Sequence, residues 1–188
     1  MDMKSAAVFL IDGFEETEAL ATVDILRRGG VDVTTVSLTG RPEVMGKHSI
    51  PVRADALFDD AKGKAFDMLV IPGGTTAHAE HQGLLDLVRE HDAKGKPVAA
   101  ICAAPVVLAR AGILKGRRAV CYPGMEGQLE GATIGTEIVE TDGHVTTAKG
   151  PAVTPFFASR LLEILQGKAK ADEVAGAFLM PMIEGARH

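Results

Sequence analysis

Three short apolar runs constrain this chain more than any other feature. They are Ala6–Ile11 (AAVFLI), Asp67–Ile71 (DMLVI) and Pro97–Ile101 (PVAAI). Runs of this length with almost no polar alternation read as strands buried on both faces, the mark of a parallel sheet. Helical patterns separate them. Glu15–Gly29 places Leu20, Val23, Ile25 and Leu26 at helical spacing and stops at Gly29-Gly30. Leu84–Asp92 and Pro105–Leu114 are predicted helices, and Val31–Leu38 is a β-branched second strand. Strand and helix in alternation predict an α/β fold with a mostly parallel sheet covered on both faces.

The rest of the chain fits around that frame. Val44–Asp55, with Gly46 and Pro51, reads as a small hairpin. Arg118–Cys121 and Thr133–Thr147 supply more strand, with Asp142-Gly143 as a turn. Thr154 reads as an N-cap, with Pro155 at the first helical position of Phe156–Leu165, and a last helix is expected over Ala171–Phe178. No repeat, low-complexity tract or linker-like break interrupts the 188 residues, so residues 1–188 are expected to form one domain.

Charge and composition narrow the function. Lys plus Arg number 20 against 25 for Asp plus Glu, a net charge of −5, and no dense basic run exists. That argues against nucleic acid as a partner. Lys115-Gly116-Arg117-Arg118 reads as a solvated loop. No apolar stretch is long enough to span a bilayer, so no membrane association is expected. The run Ala6–Ile11 is too short for a signal-peptide core and leads straight into acids. Two cysteines fit a reducing compartment, and a cytoplasmic location is expected.

Open parallel sheets place their sites at the carboxyl ends of strands, near a switch in strand order. Three segments occupy such positions. Cys102 follows an apolar strand and precedes a helix opened by Pro105, with Ala103 and Ala104 in the turn. A sharp strand-to-helix turn exposes a nucleophile, and the helix N-terminus favours thiolate. A buried, inert cysteine is the other reading. In Gly13-Phe14-Glu15-Glu16-Thr17-Glu18, Glu15 and Glu18 share a helix face and look into one cleft, while Glu16 is expected to face water. Acids also suit a helix N-terminus through its dipole alone. Pro72-Gly73-Gly74 permits close backbone approach, and its N–H groups with that of Ala103 could hold an oxyanion; an ordinary turn is the alternative. It is not a phosphate fingerprint.

The histidines offer little. His78 and His81 lack metal-site spacing, His91 is expected on an exposed helix face, and His144 is expected to be solvated in a turn. His48 lies on the hairpin and stays open. Cys121 reads as a core cysteine, with a resolving role as the alternative.

Taken together, IDGFEETEA, VIPGG, AAICAAP and TAKGPAVTPFFA resemble the ThiJ/PfpI superfamily, and within it the DJ-one branch, in a bacterial form. The resemblance covers roughly Lys4–Val174. It implies a flavodoxin-like three-layer α/β sandwich, a homodimer and a nucleophile-elbow cysteine at Cys102. Glu18 matches the acid that hydrogen-bonds the sulfur, Glu15 a second acid of the pocket, and Gly74 and Ala103 the backbone donors facing it. No cofactor or metal is implied. The expected activity is that of a glyoxalase or deglycase on a small reactive carbonyl, methylglyoxal or glyoxal. A cysteine-based oxidative-stress sensor or chaperone is the alternative, with a non-enzymatic binding module and the isocyanide-hydrating branch behind it. Tyr122 stands where the branch has His, His48 where it has Arg, and Ala152 where a second Gly is usual. Ala103 replaces the His that follows the cysteine in the protease branch, and the H-x-E of amidotransferase relatives is missing.

Overall fold

The computed structural model describes residues 3–184. In chain order it contains β1 (Ser5–Leu10), α1 (Glu16–Arg28), β2 (Asp32–Ser37), β3 (Glu43–Met45), β4 (Pro51–Arg53), β5 (Ala56–Leu57), α2 (Phe58–Ala61) and β6 (Met68–Ile71). There follow α3 (Gln82–Ala93), β7 (Val98–Ile101), α4 (Pro105–Ala111), β8 (Arg118–Ala119), β9 (Thr133–Ile134), β10 (Val139–Asp142), β11 (Val145–Ala148), α5 (Thr154–Gln166), α6 (Lys168–Ala177) and α7 (Met180–Glu184).

Seven strands form the main sheet in the order β10-β11-β7-β6-β1-β2-β5. All pairings are parallel except β10 with β11, a hairpin turned at Asp142-Gly143. The five strands β2-β1-β6-β7-β11 reproduce the flavodoxin-like order, whose switch point lies between the first strand and the next across it. Here that gap is between β1 and β6.

The apolar runs build two cores. Along β1, Ala6, Val8 and Leu10 pack on one face with Ile25 and Leu26 of α1 and Leu161 of α5. Ala7 and Phe9 point the other way, toward Leu84 and Val88 of α3 and Val107 of α4. Helices on both faces of the sheet make three layers, as expected. No helix among the described residues is long and apolar enough to cross a membrane.

Several local expectations need correction. Thr154 is not the N-cap: that position is Val153, and Thr154 is the first helical residue, its hydroxyl donating to the Pro151 carbonyl at 2.7 Å. Helix α4 ends at Ala111 rather than Leu114, because Gly112 adopts φ +81° and closes it. The strand expected at Arg118–Cys121 contracts to Arg118–Ala119 and pairs with β9 outside the main sheet. His91 is buried, not exposed. His144 is not free in solvent: its Nε2 lies 2.8 Å from Asp92 Oδ1, which also pairs with Arg117. That ion pair takes Arg117 out of the loop expected to be solvated.

Candidate active site

The carboxyl ends of β1, β6 and β7 converge at the switch point. Gly13, after β1, has φ +87° and donates its N–H to Met45 at 2.8 Å. The chain then enters α1, with Glu15 as its N-cap: a Glu15 carboxylate oxygen accepts the Glu18 N–H at 2.7 Å. Capping and pocket placement are both true of Glu15, because the cap lies at the rim of the cleft. One turn on, Glu18 is buried, and its Oε2 accepts the Gly73 N–H at 2.7 Å. Its Oε1 has no nitrogen or oxygen donor, and the carboxyl group lies within hydrogen-bonding reach of the Cys102 thiol.

Cys102 sits where β7 turns into α4, and its φ is +65°. An L-residue is strained there, by about 1–2 kcal/mol. The turn is pinned from both sides: the Cys102 N–H donates to Ala148 at 2.8 Å, and its carbonyl accepts the Tyr122 N–H at 2.8 Å. The backbone N–H groups of Gly74 and Ala103 are directed at the sulfur. Gly73 has to be glycine for contact reasons. A Cβ there would stand 2.7 Å from Cys102 Cβ and 2.8 Å from both the Ala103 nitrogen and Glu18 Oε2.

The electrostatics correct one expectation. A helix N-terminus was expected to make the thiol acidic. Instead burial, the Glu18 charge and the Glu18 hydrogen bond push Cys102 up to about 12, against the pull of the Gly74 and Ala103 amides. Helix α4 is only seven residues long and begins with a proline that has no N–H, so its dipole is weak. Burial also raises Glu18 to about 7, outweighing its bonds to Cys102 and Gly73. The two groups titrate as a pair, which loses its first proton near pH 7 and above it holds one proton and one negative charge.

Above the sulfur lies a cavity of about 310 Å³, lined by Glu15, Lys47, His48, Gly74, Cys102, Ala103, Tyr122, Met125 and Pro151. Every expected site residue except Glu18 reaches this wall, and Glu18 stands behind the sulfur. Lys47 was not foreseen. Its Nζ donates to the Gly74 carbonyl at 2.8 Å, tying the β3–β4 hairpin to the glycine turn. Local sequence carries no signal for it, because the hairpin reaches the cleft through long-range contacts such as the bridge between Phe14 and Gly46 and the Lys47 N–H bond to the Phe14 carbonyl at 2.8 Å.

Glu16 does not face water. It is buried and takes the His48 N–H at 2.7 Å and the His48 Nδ1 at 3.0 Å. Burial raises its pKa, but the His48 ring and nearby backbone N–H groups outweigh that and hold the carboxyl below its usual range. Glu15, Glu16 and His48 each offer a ligand atom within 4.8 Å of the others, the one such cluster among the described residues. These donors already bond to protein groups, so the arrangement is self-satisfied. Cys121 is a buried free cysteine, raised to about 11 by burial and the charge of Glu126.

Residues 4–164 match the DJ-1/PfpI family. Protein dj-1beta of Drosophila melanogaster is 36% identical over 182 residues, covering 94% of this chain and 97% of that protein. Deglycase PH1704 of Pyrococcus horikoshii is 33% identical over 159 residues, covering 81% of this chain and 94% of its own. The crystal structure of Drosophila melanogaster DJ-1beta superposes with a TM-score of 0.91 over 95% of this chain and 98% of its own, at 36% identity. Oxidized Toxoplasma gondii DJ-1 also gives 0.91, at 32% identity over 94% of this chain and 98% of its own. With matching sequence across most of its length and the same overall fold, the chain belongs to the DJ-1/PfpI family.

Proposed function

We propose that this protein is a cofactor-independent glyoxalase- or deglycase-type enzyme acting on methylglyoxal or glyoxal through Cys102. The observation that carries the reading is the turn at Cys102. Its φ of +65° presents the sulfur to a cavity, with Glu18 behind it and the Gly74 and Ala103 amides beside it. A nucleophile elbow needs those parts. Similarity to a protein named deglycase PH1704 supports the same class.

Once the pair has lost its first proton, the reacting form is the minor tautomer in which Glu18 holds the remaining proton and Cys102 carries the charge. The thiolate attacks the aldehyde carbon, a C–S bond forms, and the carbonyl electron pair moves to oxygen. The Gly74 and Ala103 amides hold that oxyanion until Glu18 protonates it, giving the hemithioacetal. The Glu18 carboxylate then takes the C1 proton and returns it to C2 through an enediol, with Glu15 as the second acid at the rim. The product is a lactoyl thioester. Water cleaves it, releasing lactate and the free thiol. The sum is methylglyoxal plus water to lactate plus a proton, with no external oxidant or reductant.

The deciding assay is lactate formation from methylglyoxal by wild type, Cys102→Ser and Glu18→Gln. Turnover is expected in wild type, with a loss of roughly a thousandfold or more in Cys102→Ser. Undiminished activity in Cys102→Ser, or none in a fully reduced wild type, overturns the mechanism.

A second reading uses the same sulfur as an oxidation sensor. Two N–H donors and a carboxyl group suit a sulfinate as well as an oxyanion, while Cys121 has no comparable donors. Dilute peroxide followed by mass spectrometry separates the cases: two oxygens on Cys102 without carbonyl turnover favours the sensor.

The same proposal includes a homodimer in a reducing, cytoplasmic setting. Leu20 on α1 and Met45 and Ile50 on the hairpin are exposed apolar side chains on elements that also contribute to the cleft. Both cysteines are free. Light scattering of wild type and Ile50→Glu tests the dimer, which the charge is expected to weaken.

A further inference from the structure

A second cavity, of about 240 Å³, lies at the other end of the sheet. Lys64 and Phe66 precede β6 and Lys96 precedes β7, so it opens at the amino ends of strands whose carboxyl ends hold the Cys102 site. Lys62, Lys64, Lys94 and Lys96 line it, with Glu90 as the lone lining carboxylate. Phe66, Leu69 and Leu87 give it an apolar floor. This concentration of positive charge stands out on a chain of net charge −5.

The lysines keep donors in hand. Lys62 pairs with Asp59, Lys94 with Glu90, and Lys96 Nζ donates to the Phe66 carbonyl at 2.8 Å. Each ammonium has further N–H groups. Lys64 makes no ion pair or side-chain hydrogen bond among the described residues. His91 lines the same cavity, is 6% exposed, and its Nε2 has no partner. A buried polar nitrogen left unpaired costs stability unless something fills the position. The carboxyl end of α3 opposes an anion by about half a charge. That end is capped, however: the Lys94 and Lys96 N–H groups donate to the His91 carbonyl at 3.2 and 3.1 Å. Four lysines against Glu90 and the Asp59 paired with Lys62 leave a surplus of positive charge that outweighs the residual dipole.

We propose that this cavity binds a small multivalent oxyanion, of phosphate or carboxylate type, through Lys62, Lys64, Lys94 and Lys96, with His91 as the interior contact. The apolar floor accepts the carbon body of an organic anion. The site is separate from Cys102 and its occupancy does not depend on the reaction proposed there.

Calorimetry on the full chain tests this with two probes, sodium pyrophosphate and sodium citrate, at low and high salt. Saturable binding at one site per chain is expected, weakening as salt rises. Lys64→Glu is expected to weaken it roughly tenfold or more, since reversal sets like charge against the ligand. Lys115→Glu, an exposed lysine elsewhere, is the control and is expected to leave it unchanged. The His91 ring resonance is expected to move on titration. A preference for pyrophosphate assigns a phosphate-type ligand and one for citrate a carboxylate type; either supports the proposal. Absence of saturable binding at low salt, equal loss in both variants, or an unmoved His91 overturns it. Lys62→Glu repeats the test should Lys64→Glu fail to fold.

Discussion

Glu18 stands directly behind Cys102, one carboxyl oxygen fixed by the Gly73 N–H and the other without a nitrogen or oxygen donor. The sulfur therefore cannot ionise without reference to the acid. In wild type, the rate of Cys102 alkylation by iodoacetamide is expected to inflect near pH 7, where the pair loses its first proton. Glu18→Gln removes the negative charge and one ionisation. The inflection near 7 is expected to vanish, leaving a single thiol ionisation below the 12 reached beside a charged Glu18. Alkylation rates from pH 5 to 11 measure this.

The same pair sets a pH dependence of stability. Glu18 is raised in the folded state, so between the ordinary glutamate value of 4.5 and about 7 the native protein binds more protons than the unfolded chain. Stability then falls as pH rises through that window, by up to roughly 3 kcal/mol. Urea denaturation of wild type at pH 5 and pH 8 is expected to show this fall. Glu18→Gln is expected to flatten it.

Glu16 works in the opposite sense. Its carboxyl is held below 4.5 by His48 and nearby N–H groups, so its stabilisation is present above 4.5 and lost as pH drops through the folded-state value. His48→Ala removes the ring bond and is expected to destabilise the protein at pH 7 but not at pH 3. Because the His48 side chain is 65% exposed, the loss at pH 7 is expected to be modest, under about 1 kcal/mol. Paired urea titrations read the difference.

Gly74 offers a sharper structural test. Its φ is +87°, and an added Cβ would run into the backbone of Gly13, Phe14 and Glu15. Gly74→Ala is expected to cost at least about 2 kcal/mol, the sum of left-handed strain and steric conflict. Thermal unfolding measures the cost, and lactate assays report whether the amide facing Cys102 is displaced with it.

At the far end of the sheet, His144 and Arg117 both contact Asp92 Oδ1. The contact ties the β10–β11 turn to α3. His144→Ala is expected to cost about 1 kcal/mol, the ordinary worth of a partly buried hydrogen bond. Urea unfolding at pH 7 provides the measurement.

The strands were legible because burial on both faces leaves a plain trace: Ala6, Val8 and Leu10 for one core, Ala7 and Phe9 for the other. Once the strands were placed, the rule about their carboxyl ends pointed to the three segments after them, and the family resemblance named Glu15, Glu18, Gly74, Cys102 and Ala103 within those segments. What escaped depends on distant chain returning to the site. Lys47 and the Glu16–His48 pair exist only because the hairpin folds onto the start of α1, a contact no local pattern encodes. His91 and His144 were misplaced for a related reason. Each looks exposed on its own element and is covered by another. The acidity of Cys102 differs from expectation because burial of the sulfur, which no local pattern shows, and the charge on Glu18 both outweigh the short helix.

The backbone at Cys102 has a consequence for anyone improving this protein. Its left-handed turn charges about 1–2 kcal/mol to every folded molecule, with or without substrate. Glycine would relieve that strain, at the cost of a buried side chain and a freer unfolded chain. A library sorted on heat resistance alone therefore has no reason to keep the sulfur. Stability and chemistry pull in opposite directions at this one position, and selection on the first needs a filter for the second.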